Sequence, residues 1–272
     1  MTNRTLSCIH TTAALWLYLK NGMLCHPTAT VADSEGWQTV EEMLTAVEIL
    51  AERLHDAGCV AILCRTGRRR LTALLACLKA SVTALPLTGR LAAQGLPRGA
   101  APTCVLTEEN GVLTVLPYTV AAEEPVRSRS IAASPAILLP LPQTGPLSLT
   151  PDGLTTAMEA VWRTGLNGND RLLVRSFGEG LLPLGEMLVA LRCGASLFLL
   201  PDDPHPQTVL RQLERHRITA MSAPPSLLFQ LLRFCRVSLP SLVRVTVEGC
   251  PPPSVMAQLV ESLPGVAVGC LT

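Results

Sequence analysis

Apolar positions near the start of the chain switch between two periods. In "TVEEMLTAVEILAERLHDAGC" (Thr39–Cys59), Leu44, Val47, Leu50, Ala51 and Leu54 recur at helical spacing and lay one apolar stripe along a predicted helix. Thr39 offers a capping oxygen to that helix, Glu42 completes a capping box, and Gly58 marks the stop. "CVAILC" (Cys59–Cys64) is apolar at every position and predicts a strand. A polar turn, "RTGRRR", then leads to a helix over "LTALLACLKAS" and a second strand over "VTALPL". Strand, helix, strand in this order is a βαβ unit. Strands apolar on both faces belong to a parallel sheet covered by helices.

Between residues 88 and 133 the pattern weakens. Short strands are predicted at "TCVLTE" and "GVLTVLPY", and "AAEEPVRSRSIAASPA" has the composition of a linker. Alternation then resumes to the last residue. Strands fall at "AILLPL", "DRLLVRS", "ASLFLLP", "ITAMSAP", "LVRVTVEG" and "VAVGCLT". Helices fall at "GLTTAMEAVWRTGL", "LGEMLVALRCG", "PQTVLRQLERHR", "PSLLFQLLRFC" and "PPSVMAQLVESLPG". The expected class is α/β: two linked lobes of mostly parallel sheet flanked by helices, residues 1–133 and 134–272. No internal repeat of fixed period is present.

Composition narrows the functional classes. Of 272 residues, 48% are hydrophobic and 16% charged, which suits a packed globular core. A formal net charge of +1 removes the electrostatic case for nucleic acid or an anionic membrane as partner. Ten cysteines form no C-x-x-C pair, and most sit in apolar runs, as Cys77 does. Buried free thiols in a reducing cytoplasm are expected, with no metal site. The apolar run Leu181–Leu200 is broken by Glu186, Arg192 and glycines, so it reads as helix then strand rather than a membrane span.

The order of segments from about Val40 resembles the N-terminal part of an adenylation domain of nonribosomal peptide synthetases, in the AMP-forming acyl- and aminoacyl-activating superfamily. "LAERLHDAGCVAILCRTGRRRLTALLACLKASVTALPL" is similar to the family's opening helix–strand–helix–strand. "DRLLVRSFGEGLLPLGEMLVALRCGASLFLLP" is similar to its central motif, and "LRQLERHRITAMSAPPSLLFQLL" to the block that follows. The resemblance implies a two-lobed α/β fold and, for an active member, ATP- and Mg²⁺-dependent activation of a carboxylate.

The positions that would carry that chemistry depart from the family pattern. The family's phosphate loop is rich in Ser, Thr and Gly and ends in Pro-Lys-Gly, which suits a triphosphate because amides and hydroxyls wrap it and the lysine supplies charge. Here Thr144, Gly145, Pro146 and Thr150 are the remnant, the loop is short, and Pro151 follows Thr150 where the family has histidine. In the central motif Phe177 matches, but Gly178 stands where the family's aspartate holds a substrate amine, and Gly180 stands at its serine. The adenine-contact turn is reduced to Glu248 and Gly249, and the chain ends where the family's Thr and Glu around the adenylate would begin. The only lysines are Lys20 and Lys79.

Charge building on phosphorus needs cations and Mg²⁺ ligands in place. The expectation is therefore a catalytically inactive, truncated adenylation-like protein with no catalytic residues and no cofactor. It would act as an interaction or scaffold element in nonribosomal peptide biosynthesis. A protein partner, such as a peptide synthetase module, or a second copy would cover the open sheet edge at "VAVGCLT". The alternative is the N-terminal piece of a split amino-acid-activating enzyme, completed by a partner chain and then using ATP and Mg²⁺. Other signals are weaker. Arg65–Arg70 reads as a solvated turn whose arginines meet nearby carboxylates, and His55, His205 and His216 read as structural or surface groups. Ser148 lacks the glycines of a nucleophile elbow, and Asn167–Asp170 reads as a plain turn.

Overall fold

A computed structural model of the chain describes residues 9–65, 67–87, 101–109, 112–118, 136–141, 145–175, 180–202, 204–234, 239 and 241–271. The first part contains α1 (Thr12–Cys25), a hairpin of β1 (Thr30–Asp33) and β2 (Gly36–Thr39), and α2 (Val40–Glu52). Then come β3 (Cys59–Ile62), α3 (Gly67–Ala80), β4 (Thr83–Pro86), β5 (Cys104–Glu109) and β6 (Val112–Pro117). A second hairpin, β7 (Ile137–Leu141) and β8 (Gly145–Leu149), leads into α4 (Pro151–Trp162). The alternation continues with β9 (Arg171–Val174), α5 (Leu181–Cys193), β10 (Ser196–Leu199) and α6 (Pro206–Arg215). It closes with β11 (Ala220–Ala223), α7 (Pro225–Phe234), β12 (Arg244–Glu248), α8 (Pro253–Ser262) and β13 (Ala267–Leu271).

The strands form a seven-stranded sheet, ordered β13-β12-β11-β9-β10-β1-β2, and a six-stranded sheet, ordered β6-β5-β3-β4-β7-β8. Among the described residues, antiparallel pairing is confined to β1–β2, β5–β6 and β7–β8, and all other pairs are parallel. The expected fold class is therefore the observed one. Both sheets draw on both halves of the chain. The early hairpin β1–β2 joins the later strands through β10, and β7–β8 joins the early strands through β4.

The core sits mainly between the two sheets. Along β3, Val60 and Ile62 enter that core while Ala61 faces a small cluster on the other side. Along β9 and β10, Leu172, Val174, Leu197 and Leu199 face inward, and Leu173 and Phe198 face a third cluster under α6 and α7. This period of two explains why the strands read as continuous apolar runs: both faces are covered. Helix α5, at the centre, is buried from Pro183 to Leu191. It meets α1 where a side chain on Gly22 would collide with Arg192, so only glycine lets the two helices approach.

The capping box forms as expected: Thr39 Oγ1 accepts from the Glu42 amide at 3.1 Å, and Glu42 Oε2 accepts from the Thr39 amide at 2.7 Å. Gly58 does not end this helix. Regular α2 stops at Glu52, and Leu54, at 0% exposure, is buried from the turn that follows. Helix α1 and the β1–β2 hairpin were not expected. Leu15, Trp16, Leu19 and Met23 of α1 are buried while Leu17 and Leu24 face outward, so no polar stripe marks a face.

The arginine cluster begins α3 rather than preceding it, and carboxylates of the same chain answer it. Arg68 donates from Nε to Asp33 at 3.0 Å, and Arg69 pairs with Glu35 and Glu108. Arg70, 4% exposed, donates to the Cys64 carbonyl at 2.9 Å and to Asp202 at 2.9 and 3.2 Å. Cys64 follows β3 and Asp202 follows β10, so one guanidinium joins the two sheets. Asp170 is likewise more than a turn residue. Its carboxylate is buried and accepts from the Asn167 amide, Thr219 Oγ1 and Arg244 at 2.8–2.9 Å.

Candidate functional site

Parallel α/β sheets place ligands beyond the carboxyl ends of their strands, where loops diverge and strand dipoles and helix N-termini converge. In the seven-stranded sheet this edge collects four polar side chains. Arg175 follows β9, Ser222 lies in β11, Glu248 ends β12, and Glu186 projects from α5. Ser222 Oγ donates to Glu186 Oε2 at 2.6 Å, and both residues are buried. Arg175 donates from its terminal nitrogen to Glu248 Oε2 at 2.7 Å, with side chains 11% and 18% exposed. Glu248 Oε1 is buried with no hydrogen-bond partner among the described residues.

Burial pushes the Glu186 carboxyl up to about 8; Ser222 and Arg175 oppose the shift, and the Glu248 charge adds to it. At neutral pH Glu186 is therefore mostly protonated. The cluster then comprises one neutral acid and one ion pair. It offers acceptors and a proton, while its guanidinium is already engaged by Glu248.

The phosphate-turn remnant takes a different form. Thr144 lies outside the described residues. Gly145 and Pro146 are strand residues, paired with Leu141 and Pro140, and the β7–β8 ladder runs on to Leu149 opposite Ile137. Thr150 Oγ1 accepts from the Gly153 amide at 3.2 Å and so caps α4. Strand pairing and a cap occupy groups that a phosphate loop would present to its ligand. Of this turn Gly145, Pro146 and Thr150 are described, and none of the three offers a cation or a carboxylate to a triphosphate with its Mg²⁺.

Phe177 and Gly178 lie outside the described residues. Gly180 is the N-cap of α5 at φ 139°, and without a hydroxyl it gives that helix no side-chain cap. Gly249 turns the chain after β12 at φ 81°. Of the residues singled out from sequence, then, the structure brings Glu248 into the polar cluster and assigns Thr150 to capping. Arg175, Ser222 and Glu186 were missed as site residues. The available signal was Glu186, a lone acid inside an otherwise apolar helix.

Both lysines are ion-paired to one carboxylate, Glu48 of α2: Lys20 from α1 at 2.8 Å, and Lys79 from α3. His205 accepts from the Gln207 amide at the start of α6, and His216 ends that helix and stacks on Phe198 at 4.4 Å. His55 lies exposed beside Asp56 at 3.0 Å. Among the described residues no cluster of three or more His, Cys, Asp or Glu has the arrangement of a metal site, and no helix is long and apolar enough to cross a membrane.

No protein-family model and no curated protein matches the chain. Solved structures do. VinN in complex with L-aspartate superposes with a TM-score of 0.73 at 16% identity, over 93% of this chain and 74% of that one. The inhibitor-bound N-terminal domain of FACL13 from Mycobacterium tuberculosis gives 0.74 at 15%, over 93% and 74%. The nonribosomal peptide synthetase FmoA3, in its AMPPNP-bound form, gives 0.72 at 20%, over 98% of this chain and 32% of that one. The fold expected from the sequence, that of the N-terminal part of AMP-forming activating enzymes, is the fold found.

Proposed function

We propose that this chain is a non-adenylating form of the adenylation fold that works as an interaction element in nonribosomal peptide biosynthesis. One observation carries the reading: of the phosphate-turn remnant, Gly145 and Pro146 lie in the β7–β8 ladder and Thr150 caps α4. The cations add support. Lys20 and Lys79 are held by Glu48, and Arg175 pairs with Glu248. Developing charge on phosphorus would go unanswered, and that electrostatic contribution is usually the largest in catalysis. The exposed strand β13, at the edge of its sheet, is the surface that a synthetase module or a second copy would cover. Light scattering on the purified chain reads the second-copy case directly.

The decisive test is amino-acid-dependent exchange of pyrophosphate into ATP, run beside a thermal-shift titration with ATP and Mg²⁺. The expected result is no exchange and no rise in melting temperature, since a ligand that binds the folded state must raise it by mass action. Exchange by the chain alone refutes the proposal. Exchange that appears only on adding a second chain supports the split-enzyme alternative, with ATP and Mg²⁺ as its cofactors.

A further inference from the structure

On the face of the seven-stranded sheet that packs under α6, the end of that helix and the β1–β2 hairpin enclose an open cavity of about 400 Å³. Ala32, Trp37, Arg171, Phe198, Arg215 and His216 are among the residues that line it. Trp37 is 67% exposed, whereas Trp16 is buried at 5%. A free indole on a short hairpin costs solubility and contributes nothing to the core.

The charges in this cavity do not cancel. Of its two carboxylates, Asp33 accepts from the amide and Nε of Arg68, both at 3.0 Å, while Glu35 shares Arg69 with Glu108. Arg171 lies over the Phe198 ring at 5.6 Å, and neither it nor Arg215 forms an ion pair among the described residues. Burial first, and then the nearby Arg215 and Arg171 charges, lower the pKa of His216, so both guanidiniums act on one imidazole. Two exposed guanidiniums that form no ion pair among the described residues, beside an exposed indole, suit an anionic ligand with an apolar anchor. Strand β2 is also the edge of its sheet, and an edge offers main-chain hydrogen bonds to an extended segment.

We propose that this cavity docks an acidic peptide segment of a partner protein, with an aromatic or aliphatic side chain covering Trp37 and carboxylates answering Arg171 and Arg215. A small anion would use the arginines alone; a peptide uses the arginines, the indole and the strand edge together. The proposal does not depend on whether the chain adenylates anything.

The test is selection of binders from a library of short random peptides displayed against the full chain. The selected peptides are then titrated while acrylamide quenching of Trp37 is followed. Selected sequences should place Asp and Glu around an aromatic residue, shield Trp37 from acrylamide, and weaken with added salt. Arg215→Glu and Trp37→Ala should each reduce affinity about tenfold or more. Both side chains lie outside the core, and an unchanged melting temperature separates lost binding from lost folding. The proposal is overturned if no binders emerge, or if binders lack an acidic bias. It also fails if they ignore both substitutions, or if inorganic pyrophosphate shields Trp37 as well as the peptides do.

Discussion

Replacing Glu186 with glutamine should make the protein more stable, and increasingly so as pH rises. The carboxyl is buried and its pKa is pushed from an ordinary 4.5 to about 8. In the unfolded chain the same group ionises near its ordinary value. Between these two values the folded state holds a proton that the unfolded state releases, so stability is fully present below the lower one and lost as pH climbs towards the upper. Each unit in that window costs about 1.4 kcal/mol. From about pH 5.5 to about pH 7.5 the native protein should therefore lose roughly 2–3 kcal/mol relative to a Glu186→Gln variant that has no proton to lose. Glutamine has nearly the same shape and keeps an acceptor for Ser222 Oγ, now at 2.6 Å from Glu186. At this chain length that difference corresponds to about 4–5 °C in Tm. The assay is thermal melting of both proteins across that pH range. Other titrating groups are common to both, so they drop out of the difference. Melting curves that run parallel with pH would show that Glu186 is not held protonated, and the description of the polar cluster would fail with it.

Arg70→Leu removes the guanidinium that joins Cys64 to Asp202 and leaves a buried carbonyl and a carboxylate to find other partners. Because the Asp202 side chain is 33% exposed, the loss should fall at about 2–3 kcal/mol rather than the full cost of a dry pair. It should appear as a lower urea midpoint with an unchanged slope, and a shift too small to resolve would argue against the link. Cysteine labelling should follow burial. Desolvation raises Cys59 to about 11 and Cys64 to about 12, and carries Cys77 well above its ordinary value. Peptide mapping after brief iodoacetamide treatment should therefore find exposed Cys25, Cys250 and Cys270 modified before those three; early labelling of Cys77 would contradict the packing of α3.

Much of the fold was legible because its central strands are covered on both faces and helices such as α2 carry a one-sided stripe. The apolar run from Cys59 to Cys64 predicted β3, which forms over Cys59–Ile62, and Thr39 with Glu42 announced the start of α2. Helix α1 escaped because Leu17 and Leu24 face outward beside buried Leu15 and Leu19, which erases the stripe. The β1–β2 hairpin escaped because short half-exposed strands have little apolar pattern, and its place is set by distant β10.

The sequence alone determined the α/β class and most element positions through period and capping, and, set against the family it resembles, the departures at Gly178 and Pro151, since residue identity needs no neighbours in space. Tertiary structure alone decided which polar groups meet. Arg70 reaches Asp202, Arg175 reaches Glu248 and Glu186 reaches Ser222 across separations that carry no local signal. Coulomb energies and desolvation depend on distance and burial, and both arise only when the sheets close over α5.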